Sequence, residues 1–273
     1  MASALRVISA ALVGWQSTVP GTMSVFEAML VMAAAFLAGT MNTIVGSGSL
    51  ITFPTLLAIG YAPVIANVSN TVGITFGSLS GAVGYRRELG GQRHRTTVLG
   101  SASLLGGITG GVLLLTLPSS VFDDVVPVLI LLAVVLVILQ PRLRRLVAER
   151  RSRTVEHGGI ELWIGIFITG IYGGYFGAAQ GVILLSLLGI FIADTLQRLN
   201  AVKNVLALIA NGVAAILFVF FADVAWLVVV LIAVGSVLGA QLGATVGRRL
   251  PPTSMRAIIV VVGVVAAVKL LVS

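Results

Sequence analysis

Lys203 stands out because an ammonium sits where a charge is hardest to keep. It lies inside the otherwise apolar run 195–221, and a charged side chain at membrane depth is costly enough to require a partner or a wet cavity. The nine acidic residues, Glu27, Glu88, Asp123, Asp124, Glu149, Glu156, Glu161, Asp194 and Asp223, all fall near segment ends or in loops. An anionic substrate is therefore a candidate counter-ion. A second reading is purely structural: the stem extends and the ammonium snorkels to the inner interface near Arg198.

The second group with chemical potential is Gly46-Ser47-Gly48-Ser49, followed by Pro54. Two glycines allow a tight turn and two serines offer hydroxyls. The ten residues 50–59 that follow make a helix of roughly 15 Å, half a hydrocarbon core. A helix restarting at depth presents its free N–H groups and the positive end of its dipole, which together hold an anion without a charged side chain. A weaker version recurs at Gly177-Ala178-Ala179-Gln180-Gly181. Small residues also serve plain helix packing, but a half-helix too short to span favours a lining role.

The remaining polar candidates are Asn42, Asn67, Ser69, Asn70 and Thr71 in the first part of the chain and Asn204 beside Lys203. Ser47, Gly48, Ser49, Ser69, Asn70, Gln180, Gly181, Lys203, Asn204 and Asn42 are the expected ligand contacts. The chemistry they offer is binding, not bond making. An embedded enzyme would need convergent His, carboxylate or Cys groups at depth. The sequence has no cysteine, and His94 and His157 lie in basic loops. No catalytic residue, metal site or cofactor is expected.

These residues need a membrane-embedded scaffold, and the composition supplies one: 58% hydrophobic against 10% charged. The class is an all-α integral membrane protein. The net charge of +8 would suggest nucleic acid in a soluble protein. Here the arginines sit in short loops between apolar runs, where they act as topology signals.

The apolar runs are 24–45, 50–59, 62–85, 97–117 and 125–140, then 160–176, 181–190, 195–221, 224–247 and 256–271. This divides the chain into an N-terminal tail or interfacial helix (1–22), a first repeat (23–140), a cytoplasmic linker (141–158) and a second repeat (159–273). The halves repeat one order of break, half-helix and small-residue helix. Gly39 matches Gly170, and Gly46 matches Gly177. Gly106 and Gly110 fall on Gly239 and Gly243, as close-packing faces.

Charge orients the copies. Arg86, Arg87, Arg93 and Arg95 occupy a loop whose counterpart near Asp223 has no basic residue. The loop carrying Asp123 and Asp124 corresponds to one carrying Arg248, Arg249 and Arg256. The positive-inside rule then predicts inverted repeats, each with a broken or re-entrant half-helix, whose breaks converge near the midplane.

The run Gly46-Ser47-Gly48-Ser49 with Pro54, followed by Ala66-Asn67-Val68-Ser69-Asn70-Thr71, resembles the TauE/SafE family of sulfite and organosulfonate exporters, over nearly the whole chain from Ser24. The chain departs from the family at Ser49, where members often continue a glycine run, and at the second break, which lacks a following proline. The resemblance implies export of a small sulfur-containing anion, sulfite or a short sulfonate, by a multi-pass protein of the inner membrane. Its partners would be that anion and the bilayer, with no nucleic acid. An importer or channel for another anion, or a membrane scaffold subunit, remain the alternatives.

Overall fold

The computed structural model describes residues 23–149 and 159–245 together with Val264. The tail over 1–22 and, Val264 apart, the final apolar run lie outside the described residues. Those residues form α1 (Val25–Ile44), α2 (Ser49–Ile59), α3 (Pro63–Gly84), α4 (Arg93–Thr116), α5 (Ser119–Glu149), α6 (Gly159–Tyr175), α7 (Gln180–Phe191), α8 (Leu196–Phe221) and α9 (Trp226–Thr245), with no strand among them. Helices satisfy their own backbone, the condition that hydrocarbon imposes.

Five of these helices are long and apolar enough to cross a bilayer: α1, α4, α5 up to Arg142, α8 and α9. α3 has the length, at 22 residues, but its stretch from Asn67 to Thr71 is polar. Those residues are buried against other helices and kept from lipid. α2 and α7 have only 11 and 12 residues. At 1.5 Å per residue they reach roughly 18 Å, well short of the core thickness.

α5 runs past Gln140, where the expected linker begins, to Glu149. Pro141 removes an amide from the ladder and crowds the carbonyl four residues back, which kinks a helix without having to end it. Its followers Arg142, Leu143, Arg144 and Arg145 are strong helix formers, so the helix continues. Residues 150–158 of the expected linker lie outside the described residues.

Small residues decide how the long helices meet. α9 lies on α1 so closely that a Cβ on Gly239 would fall 1.9 Å from the Phe36 carbonyl oxygen, and one on Gly39 would fall 2.1 Å from that of Ser236. α4 meets α6 in the same manner, Gly110 against the Ile171 carbonyl at 2.1 Å and Gly106 against that of Phe167 at 2.3 Å. Interhelical hydrogen bonds accompany the packing: Thr40 Oγ1 donates to the Gly239 carbonyl (2.9 Å) and Ser103 Oγ to that of Leu206 (2.7 Å). Such bonds average only about 0.6 kcal/mol in membranes, so backbone-to-backbone van der Waals contact carries the association.

The neighbour pattern is reciprocal. α9 packs on α1 and α3, α4 packs on α6 and α8, and α3 packs on α8. α2 sits between α1 and α3, and α7 between α6 and α8. Exchanging α1–α4 for α6–α9 reproduces each of these contacts. Each half's fourth helix thus seats on the other half, so neither buries its small-residue faces alone.

One polar cluster ties the α3–α4 loop to the α7–α8 turn. Asp194 accepts from Arg95 (2.9 Å) and Arg198 (2.8 Å), while Arg198 donates to the Gly90 carbonyl (3.0 Å). Burial alone would raise the Asp194 carboxyl. The hydrogen bonds from Arg95, the Thr195 amide and Arg198, with the Arg198 charge, hold it below its usual range instead.

Candidate functional site

Two helices end in the same way at the centre of the fold. After α1, the amides of Val45 and Gly46 both close on the Met41 carbonyl (2.8 and 3.0 Å), and Gly46 takes φ +86°. After α6, Phe176 and Gly177 close on Tyr172 (2.9 and 3.0 Å), and Gly177 takes φ +77°. Both are left-handed glycine ends that stop a helix and turn the chain. The turning glycine of the first break is thus Gly46. Gly48 is right-handed (φ −59°) and must be small for a different reason: a Cβ there would lie 2.4 Å from the Ala38 carbonyl oxygen.

The two breaks touch. The Gly181 amide, in the first turn of α7, donates to the Gly46 carbonyl at 3.0 Å. A Cβ on Gly46 would fall 2.3 Å from the Gly181 Cα, and one on Gly181 would fall 2.4 Å from the Gly46 Cα and 3.1 Å from Cδ of Lys203. Two backbones and one lysine stem therefore meet at a point 135 residues apart in the chain. The first turn of α7 is braced further by the Tyr172 hydroxyl, which donates to the Ala178 carbonyl (2.5 Å). Phe53 of α2 rests edge-on against Phe176, ring centres 5.2 Å apart.

Lys203 is fully buried, with 0% exposure. Its ammonium donates to the carbonyls of Asn42 (3.0 Å) and Thr43 (3.3 Å), the orphan acceptors and negative dipole end of α1. It does not snorkel to the interface. Asn200, one turn earlier on α8, adds a bond to the Thr43 carbonyl (3.1 Å). The other half has its counterpart: Asn67, at the same place on α3, donates to the Tyr175 carbonyl at the end of α6 (2.9 Å). Asn200 was not among the expected contacts. Its signal was present, an asparagine in the second turn of each half's third helix.

The other expected contacts divide. Asn70 donates to Ser49 Oγ (3.1 Å) and accepts from Thr52 Oγ1, which pins the start of α2 to α3. Ser69 is turned elsewhere, its hydroxyl accepting the Ala225 amide (2.9 Å) at the start of α9. Asn42 offers its carbonyl to Lys203 while its side chain donates to Ser78 (3.0 Å). Ser47 and Gln180, each next to a glycine of the central contact, are both 1% exposed. The Ser47 hydroxyl and both amide atoms of Gln180 lack a hydrogen-bond partner, as does Nδ2 of Asn204. Buried polar atoms left unpaired cost about 1–3 kcal/mol each, so each of these calls for an explanation.

Among the described residues the buried set contains one charged side chain, Lys203, and no carboxylate. No group of His, Cys, Asp or Glu among them could hold a metal. The polar groups around the breaks are amides, hydroxyls and one ammonium, which is held on the Asn42 and Thr43 carbonyls.

Comparison with known proteins agrees in scale with this architecture. The family model described as "Sulfite exporter TauE/SafE" matches residues 31–270. "Probable membrane transporter protein YfcA" of Escherichia coli (strain K12) is 27% identical over 237 residues, 87% of each chain. A "Probable membrane transporter protein" of Haemophilus influenzae is 25% identical over 241 residues, 88% of this chain and 93% of its own. "Probable membrane transporter protein ORF9" of a Sinorhizobium species is 26% identical over 238 residues, 87% and 90% of the two chains. No solved structure matches.

Proposed function

The chain belongs to the TauE/SafE family of membrane transporters, and from that premise we propose that it exports a small sulfur oxyanion, sulfite or a short sulfonate. The site is the meeting point of the two breaks, and the inner membrane is its location. The observation that carries this reading is the unpartnered, buried polar set of Ser47 and Gln180 flanking the Gly46–Gly181 contact. Lys203 brings its stem against Gly181 and its positive charge to the nearby end of α1. A compact oxyanion offers several acceptors to such donors, whereas a cation would meet the wrong charge.

The halves are inverted repeats and α2 and α7 are re-entrant. Support comes from the reciprocal neighbour pattern and from the charge alternation between corresponding loops. The side of each loop supports it too: Gly90 lies against Arg198, and Ala225 begins a helix whose far end, Gln241, bonds Ser80 near the end of α3. The protein has no cysteine, so single cysteines introduced at Gly90 and Ala222 can be labelled without background. They should react from opposite faces of the membrane; labelling from one face sinks the inversion.

Movement of one half against the other around a fixed site would give alternating access. An inside-negative potential favours exit of an anion by about 2.3 kcal/mol per charge per 100 mV. The substrate class is tested by thermal shift of purified protein with sulfite, sulfate, thiosulfate, short sulfonates and carboxylates. A ligand at a hundred times its dissociation constant stabilises by about 2.7 kcal/mol, so sulfur oxyanions should raise Tm by several degrees. Stabilisation by carboxylates alone would reject the assignment.

A further inference from the structure

A second polar place lies between the end of α3 and the last described turn of α9, on the loop side of Thr43, against which Gly81 and Gly243 pack. A cavity of about 550 Å³ opens there, lined by Val83, Arg86, Arg87, Glu88, Gln241 and Thr245 among others. Its lining includes Arg86 and Arg87 of the α3–α4 loop, and arginines in short loops between apolar runs lie at the membrane surface. The cavity therefore sits at headgroup level, on the face that carries the basic α3–α4 loop.

We propose that this cavity holds the phosphate of an anionic phospholipid, whose acyl chains lie along α3 and α9. Two guanidiniums against one carboxylate leave a single positive charge in the lining, which matches one phosphodiester. Arg86 and Arg87 are exposed, and their planar forks suit phosphate oxygens. The Gln241 amide is fixed by donation to the Ser80 carbonyl (3.1 Å) and hydroxyl (2.7 Å), which holds that wall in place. The volume is that of a small-molecule site.

The walls below the cavity identify a lipid over a free ion. Phe76, Leu79 and Val83, at helical spacing on α3, are 49%, 50% and 45% exposed. Leu238 and Leu242 on α9 are 58% and 37% exposed. A charged mouth continuous with an apolar surface is the negative of an amphiphile, and basic pockets between membrane helices on this face hold such headgroups. The arginines as topology signals explain a charge in the loop. They do not explain a cavity between two helices from different halves of the chain.

The test is lipid binding to the purified full chain in neutral detergent, read by native mass spectrometry and by Tm. Phosphatidylglycerol should bind and raise Tm, while phosphatidylcholine and inorganic phosphate at equal concentration should not. Arg86→Gln with Arg87→Gln should lower phosphatidylglycerol occupancy by about tenfold or more, given two arginines at the surface. Because those arginines also guide insertion, Thr245→Trp provides a second variant that fills the cavity and keeps its charge; it should lose the lipid to a similar extent. Equal binding of phosphatidylcholine, full stabilisation by inorganic phosphate alone, or undiminished occupancy in Thr245→Trp would each overturn the proposal. Oxyanion binding at the breaks should be unchanged in Thr245→Trp, so this site and the central one fail separately.

Discussion

Gly46→Val is expected to abolish transport, and Gly181→Val to do the same, while the corresponding change at Gly60 leaves most activity in place. Gly46, Gly60 and Gly177 all have positive φ, at +86°, +103° and +77°. A side chain in that conformation costs roughly 1–2 kcal/mol from backbone sterics alone. The surroundings separate them. A Cβ on Gly60 meets nothing within 4 Å, whereas one on Gly46 falls 2.3 Å from the Gly181 Cα. Backbone cannot rotate aside as a side chain can, so the two breaks must separate and the 3.0 Å hydrogen bond between them must break. Overpacking adds about 1–3 kcal/mol, for a total on the order of 2–5 kcal/mol at Gly46. Gly181 carries no positive φ, so its penalty is the contact alone. Flux into proteoliposomes and Tm in detergent would be measured together. Normal flux by Gly181→Val would show that close approach of the breaks is dispensable.

The contrast between Gly46 and Gly48 shows what a one-dimensional reading can and cannot supply. A half-helix between two apolar runs is legible because length against bilayer thickness is a sequence property, and Ser49–Ile59 and Gln180–Phe191 are short in the structure as expected. The close-packing role of Gly106, Gly110, Gly239 and Gly243 is legible for the same reason, since small residues four apart make a flat helix face. Which glycine turns the chain is not legible. Gly46 and Gly48 flank the same serine, and only the closure of α1 on Met41 selects the first. Ser69 is similar. Its type and depth fit a ligand contact, yet the start of α9, more than 150 residues later, takes its hydroxyl. Partners that distant in sequence leave no local pattern, whereas the paired asparagines 67 and 200 left one in the repeat.

Lys203 carries the last expected result, and here the structure changes what substitution should do. On the sequence alone, Lys203→Ala would weaken anion binding and spare the fold. With the ammonium on the carbonyls of Asn42 and Thr43, removing it also leaves the end of α1 short of a donor. The cost of an unsatisfied buried group is about 1–3 kcal/mol, partly relieved by Asn200, which keeps its bond to Thr43. Lys203→Met, which preserves the apolar stem against Gly181, is therefore the cleaner change. It should lower Tm by a few degrees and weaken binding of the best oxyanion by about ten- to a hundredfold, the scale of one charge-assisted contact. Lys203→Arg should restore the charge but not the affinity, because a planar fork does not replace a compact ammonium seated on the Asn42 and Thr43 carbonyls. Asn200→Ala separates the two roles. It removes a donor from the same carbonyl without touching the charge, so it should lower stability and leave oxyanion affinity within about twofold, below 0.5 kcal/mol. If Asn200→Ala and Lys203→Met reduce affinity alike, the lysine acts only by capping α1, and the anion's positive partner must be sought elsewhere.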